Sequence, residues 1–112
     1  MQFESLNRVE IKGRINDVRI TEFSETSMAR LSVGTDYAYK DITGNPVIES
    51  TWHSIVVWEG KAASKETIKS LAKGDAVHVI GRIRMQRYTA VDGSERSQPE
   101  ILAHSLKKLS AD

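Results

Sequence analysis

The chain has 112 residues, 39% hydrophobic and 28% charged, which suits one compact domain burying about two-thirds of its unfolded surface. Its 16 Lys and Arg side chains against 15 Asp and Glu give a net charge of +1, which excludes an acidic disordered chain and a strongly basic nucleic-acid binder. Zero cysteines exclude a disulfide framework and thiolate chemistry; no apolar run approaches the roughly 20 residues of a membrane span, and Met1 to Ser5 lack a leader pattern, so a cytoplasmic location is expected.

From Arg8 to Ile15, the residues Val9, Ile11, Gly13 and Ile15 alternate with Arg8, Glu10, Lys12 and Arg14, which predicts a strand with one buried face. Met28 to Tyr39 sets Leu31 and Val33 against Arg30, Ser32 and Gly34, a second strand. Turn formers from Asp41 to Pro46 lead into a third strand, Val47 to Trp58. The period changes over Lys61 to Ala72, where Ile68, Leu71 and Ala72 take helical spacing and Gly74 offers a left-handed stop. Ala76 to Tyr88 alternates again, with Val77, Val79, Gly81, Ile83 and Met85 opposite His78, Arg82, Arg84 and Gln86; Val91 to Ser94 turns, and Glu100 to Leu109 predicts a shorter last strand.

Two strands carry glycine on the apolar face in mid-course, Gly13 and Gly81. Glycine there marks a sharp bend or a close backbone approach, and two such strands suggest a closed barrel. The expected fold is all-β with one helix, a single domain with its barrel over about residues 6–109. Its topology is a five-stranded Greek-key OB-fold with the helix between strands 3 and 4, a barrel that binds oligonucleotides and oligosaccharides. An SH3-like barrel is disfavoured because it does not usually place a three-turn helix there.

Both tryptophans lie in the third strand, Trp52 and Trp58 sharing a face with Ser54 and Val56. Tryptophan is usually buried, but His53, Ile55 and Val57 already supply a core side. Six residues of strand separate the indoles by about 20 Å, too far for one small ligand and suited to successive bases of an extended single strand. In the fourth strand Arg82, Arg84, Gln86 and Tyr88 share a parity, so cations and a ring interleave on the non-core side.

His53, His78 and His104 are too scattered for a metal set, and neither a metal nor a cofactor is expected. Glu49, Asp75 and Asp92 fall in different elements without a nucleophile, so no catalytic pair is visible and enzymatic activity is not expected. Lys61, Lys65, Lys69 and Lys73 recur every four residues along the expected helix. They read as a solvated face, the alternative being a track for phosphates.

The ordered set Asn7-Arg8-Val9 through Gly13, Leu31 to Thr35, Thr51 to Trp58, Leu71 to Gly74, Val77 to Ile83 and Asp92-Gly93 through Glu100-Ile101 resembles the bacterial single-stranded-DNA-binding protein family. The resemblance implies base stacking at Tyr39, Trp52, Trp58 and Tyr88, and backbone contacts for which Arg14, Lys40, Lys61, Arg82, Arg84 and Arg87 are candidates. Tyr39 has the core parity of Leu31 and Val33, so it can stack only if its hairpin extends past the barrel. The resemblance also implies a homotetramer, or a dimer, with His53 at the subunit interface; the alternative for His53 is a hydrogen-bonded barrel histidine. The resemblance also implies an acidic tip that recruits replication enzymes; the sequence reads Leu109-Ser110-Ala111-Asp112 there, so recruitment through such a tip is not expected. The expected role is sequence-independent binding and protection of single-stranded DNA in replication, recombination and repair, at the nucleoid, without membrane contact. The alternatives are a replication-restart protein and an OB-fold adaptor that docks a protein or oligosaccharide.

Overall fold

A computed structural model describes residues 4–109. The chain ends, on which the expectations of no leader and no acidic tip rest, reach outside the described residues. The elements are β1 (Val9–Glu22), β2 (Ser27–Lys40), β3 (Pro46–Trp58), α1 (Lys65–Ser70), β4 (Ala76–Thr89) and β5 (Glu95–Lys108). They close a barrel in the order β1-β2-β3-β5-β4. Every pairing is antiparallel except β3 with β5, which meet in parallel at Ile55–Ile101 and Val56–Leu102. This is the expected five-stranded barrel with its helix between strands 3 and 4.

The alternating apolar residues fill the barrel: Ile11, Ile15, Leu31, Val33, Ile55, Val57, Val77, Val79, Ile101 and Leu106 are buried, with Ile68 and Leu71 packed against them from the α1 region. Gly13 and Gly81 lie where strands touch: a Cβ on Gly13 would overlap the Gly34 carbonyl, and one on Gly81 the Leu102 carbonyl. Two irregularities bend the strands. One falls between Ile15 and Asp17 in β1, and the other leaves His104 of β5 unpaired between the Gly81–Ala103 and Ile80–Ser105 pairs.

Several expectations are corrected. The helix covers Lys65–Ser70 and not Lys61 to Ala72. Gly60 at φ 132 and the Glu59–Ala63 bridge hold the preceding residues in a turn, and Ser64 caps the helix by accepting from Thr67 N. The backbone is already extended at Leu71, so Gly74, at φ 95, turns the chain into β4 and does not stop α1. The four lysines therefore form no single helical stripe, because only Lys65 and Lys69 are helical.

The last strand is not short, since β5 matches β4 over 14 residues from Glu95. Its beginning is hard to read because Pro99 interrupts it, tolerated where β5 has β4 as its one partner. Val56, expected on the open face, is buried because Arg30 and Leu102 flank it across the sheet. Ile83 and Met85, expected in the core, are exposed because β1 pairs with β4 only up to Val9–Gly81.

Beyond those pairings two ribbons project. The β2–β3 ribbon leaves the barrel after Gly34, the last β2 residue paired with β1, and the β4–β5 ribbon leaves after Gly81. They help stretch the molecule to 55 Å.

Candidate nucleic-acid interface

Residues opposed across paired antiparallel strands share a face, so the register reads out the outer surface of the barrel row by row. Arg14, Gly34 and Trp52 form one row, and Asp17, Ser32 and Ser54 the next. Arg19, Arg30 and Val56 follow, continuing through Leu102 to Arg82. Thr21, Met28 and Trp58 complete the series. Trp52 is 60% exposed and Trp58 37%. Both indoles are presented on the same outer surface, as the alternation of β3 predicts.

Trp52 owes its pose to Gly34. The indole lies over the glycine so closely that its Cζ3 and Cε3 atoms fill the space a Cβ would need. A flat ring on a glycine seat leaves its far side to solvent.

Between the indoles runs a groove of about 230 Å³, lined by Asp17, Arg19, Arg30, Ser32, Ser54, Gln86, Gln98 and Glu100 among others. Its charge centre is Glu100, whose side chain is only 2% exposed and accepts from Arg84 Nε at 2.8 Å and Arg30 Nη1 at 3.3 Å. A buried carboxylate needs such partners, and in return it fixes two guanidinium groups at the groove. A second groove of about 330 Å³ joins the first at Ser54 and Glu100 and is lined by Val9, Trp52, His53, Ile83, Pro99 and Ile101. A third, of about 320 Å³, lies at the other end beside Trp58, Glu59, Lys61, Ala62, Leu102, Ala103 and His104. Together they make a track along β3 with an indole near each end.

Trp58 has an aromatic neighbour. Phe23, in the β1–β2 turn, stacks on it with ring centroids 5.7 Å apart and planes at 24°. The pair is held from both sides. Phe23 N donates to Thr26 O at 2.7 Å, and Glu59 Oε1 accepts from Ser27 N at 3.1 Å and Ser27 Oγ at 3.0 Å.

The two tyrosine candidates stand on the ribbons. Tyr39, 41% exposed, does project past the barrel, with its neighbour Tyr37 5.9 Å away. Tyr39 pairs with Val47, of opposite parity to Trp52, so ring and indole lie on opposite faces of the ribbon. Tyr88, 42% exposed, shares its parity with Gln86 and Arg84 and continues the groove side of the β4–β5 ribbon. Asp41 and Asp92 brace the ribbon tips. Thr43 Oγ1 donates to Asp41 and Ser94 Oγ to Asp92, with backbone N–H groups adding to each, and these bonds hold both carboxyls below their usual range.

The basic candidates are dispersed. Lys61 lines the groove beside Trp58, and Arg82 is exposed at the end of the Arg30 row. Arg14 sits in the Trp52 row and donates to Gly74 O at 3.1 Å. Lys40 lies at a ribbon tip, Arg84 is engaged with Glu100, and Arg87 takes the parity opposite to Arg84 and Tyr88. Of the lysine series, Lys69 is paired with Glu22 at 3.2 Å.

Sequence reasoning missed Arg19, Arg30, Phe23 and Tyr37. Tyr37 was detectable as the same-face neighbour of Tyr39; the others depend on cross-strand register or a turn. His53 is half-buried and its Nε2 lies 2.9 Å from Thr35 Oγ1. Among the described residues no three metal-ligating side chains come together, and no helix is long and apolar enough to cross a membrane.

The single-strand binding protein family model matches residues 6–109. The single-stranded DNA-binding proteins of Neisseria meningitidis and Xanthomonas campestris are 32% and 31% identical to the chain over 108 residues, covering 94% and 93% of it. The chain spans 60% of the length of each of these relatives. Among solved structures, an SSB of Plasmodium falciparum in complex with single-stranded DNA superposes with a TM-score of 0.76 at 24% identity, covering 98% of this chain and all of that one. A deletion mutant of the single-stranded DNA binding protein from Thermus aquaticus gives 0.74 at 21% identity, covering 95% of this chain and 51% of that one. These two likenesses bear on the fold, and they place it among the barrels expected from the order of elements. Because the family model matches residues 6–109, nearly the whole chain, the chain belongs to the single-strand binding protein family.

Proposed function

We propose that the chain binds single-stranded DNA without sequence preference and without catalysis, protecting it during replication, recombination and repair in the cytoplasm, at the nucleoid. The observation that carries this is the track along β3: two exposed indoles about 20 Å apart, joined by a groove lined with arginine, serine and glutamine. Stacking on each ring is worth roughly 1–3 kcal/mol per base and accepts any base, because every base has a π face. Arg30, Arg82 and Lys61 lie where a backbone following the rings would pass, and Tyr88 extends the track along the β4–β5 ribbon. Duplex DNA keeps its bases stacked on one another and offers those rings nothing.

Poly-dT should quench the tryptophan fluorescence strongly, while a duplex of equal length should leave it nearly unchanged. Absence of quenching by poly-dT would overturn this reading and favour an adaptor that docks a protein. The family resemblance also supports assembly into a homotetramer, or a dimer. Light scattering of the purified chain at several concentrations reads the subunit number, and a monomer throughout would reject assembly.

A further inference from the structure

Arg14 pairs with Gly34 on β2 and with Ala76 on β4, so the row that begins at Trp52 runs on around the barrel, through Arg14, onto β4. The next row on that side is Lys12, His78 and Lys107, one residue each from β1, β4 and β5. Glu10, Ile80 and Ser105 make the row after it. Neighbouring strands lie about 4.8 Å apart, so the backbones of Lys12 and Lys107 are roughly 10 Å from each other across His78. Glu10 is the one carboxylate on these rows, and it is engaged with His78 Nε2 at 2.7 Å and with Arg8 Nη2 at 3.8 Å. Arg14 donates to a carbonyl, Gly74 O, which satisfies a donor and leaves its charge unpaired. Lys12 and Lys107 are exposed, and neither is ion-paired among the described residues.

We propose that the β1–β4–β5 face is a second nucleic-acid surface: it takes the strand that leaves the β3 track past Arg14 and holds it by phosphates alone, with Lys12 and Lys107 as the contacts. The proposal rests on the single-stranded-DNA reading and extends it from the track to another side of the barrel. No Trp, Tyr or Phe falls on these rows, so the face holds nothing by stacking. Its excess of cations suits a polyanion. A second copy packed on it by the same face would set Lys12 and Lys107 against like charges, whereas a run of phosphates neutralises them. Continuity favours the strand already on the track, because Arg14 belongs to both surfaces.

The test titrates the full chain with two ligands at several salt concentrations, reading tryptophan fluorescence: poly-dT, and an oligo-dT of about eight nucleotides, within the span of one barrel. In the double variant Lys12→Gln with Lys107→Gln, the log–log salt slope for poly-dT should fall by about 1.4, two phosphate contacts at about 0.7 each. The slope for the short oligonucleotide and the depth of quenching should match the parent chain. Lys12→Arg with Lys107→Arg keeps both charges and should keep the parent slope for poly-dT. A poly-dT slope unchanged in the glutamine variant, with quenching intact, overturns the second surface while the DNA-binding reading stands. An equal fall for both lengths puts the two lysines on the track itself and also overturns it, as does a fall in the arginine variant. A change of mass in light scattering with an unchanged slope assigns the face to a second copy and rejects the proposal. Absence of quenching in the parent chain removes the DNA-binding reading and this surface with it.

Discussion

A methyl group on Gly34 would enter the space held by the Trp52 ring. Gly34→Ala should therefore tilt the indole off its seat and cost about 1–3 kcal/mol of stability as an overpacked contact. Its DNA affinity should fall by about five- to 100-fold, the value of one stacked base, as read by fluorescence titration. Glu100 acts in the opposite sense. Glu100→Gln keeps the shape but releases Arg30 and Arg84 from a buried carboxylate. We expect a lower Tm together with tighter poly-dT binding at low salt and a steeper salt slope, because two guanidinium groups become available to phosphates. Unchanged affinity would mean that the arginines face elsewhere. At this scale the sequence is legible where period decides: Trp52 and Trp58 share a face because side chains alternate. It is mute where register decides. Nothing local tells that Arg30 neighbours Val56, or that a turn phenylalanine lands on an indole.

Among the elements, α1 is the smallest and buries one side chain. Ile68, fully buried, packs its single turn and a half against the barrel. Ile68→Ala should cost about 2–5 kcal/mol, lowering Tm by on the order of 10 °C or more in thermal unfolding. The helix's exit is tied by Asp75, whose carboxylate accepts from Ala72 N at 2.9 Å and meets Lys108 Nζ at 3.2 Å. The Ala72 N–H first, and the Lys108 ammonium second, hold the Asp75 carboxyl below the usual aspartate range. A carboxyl depressed by folding stabilises the native state above its unfolded pKa, about 3.9, and that stabilisation is lost as pH falls through the lower folded value. Asp75→Asn should therefore lower Tm at neutral pH, with the gap to the parent chain closing below about pH 4. A gap that stays constant down to pH 2 would reject the linkage. The apolar period of Ile68, Leu71 and Ala72 continues past the helix end at Ser70, which is why the sequence predicts a longer helix. Gly60 and Ser64 carried the contrary signal.

For the whole molecule, topology was legible from two mid-strand glycines and the single change of period. The length of the ribbons was not, since pairing beyond the barrel leaves no core pattern in the residues. A net charge of +1 conceals an uneven distribution. Glu100 offsets two arginines at the groove, while Lys69 and Lys108 are paired elsewhere with Glu22 and Asp75. Few cations on the track lack such a partner, so the salt slope of binding should be modest, roughly 0.7 for each phosphate met. A slope above about 4 would mean that more basic groups engage than the β3 track presents.

The placement of Tyr39 and Trp52 on opposite faces of the β2–β3 ribbon has a geometric result. A polynucleotide lying flat along the barrel can touch one of them, and to touch both it must bend over the ribbon's rim like thread over a blade. Tyr39→Ala should then shorten the length of DNA occluded per subunit, whereas Trp52→Ala should loosen the grip without shortening it, a contrast that stoichiometric titration with poly-dT can resolve.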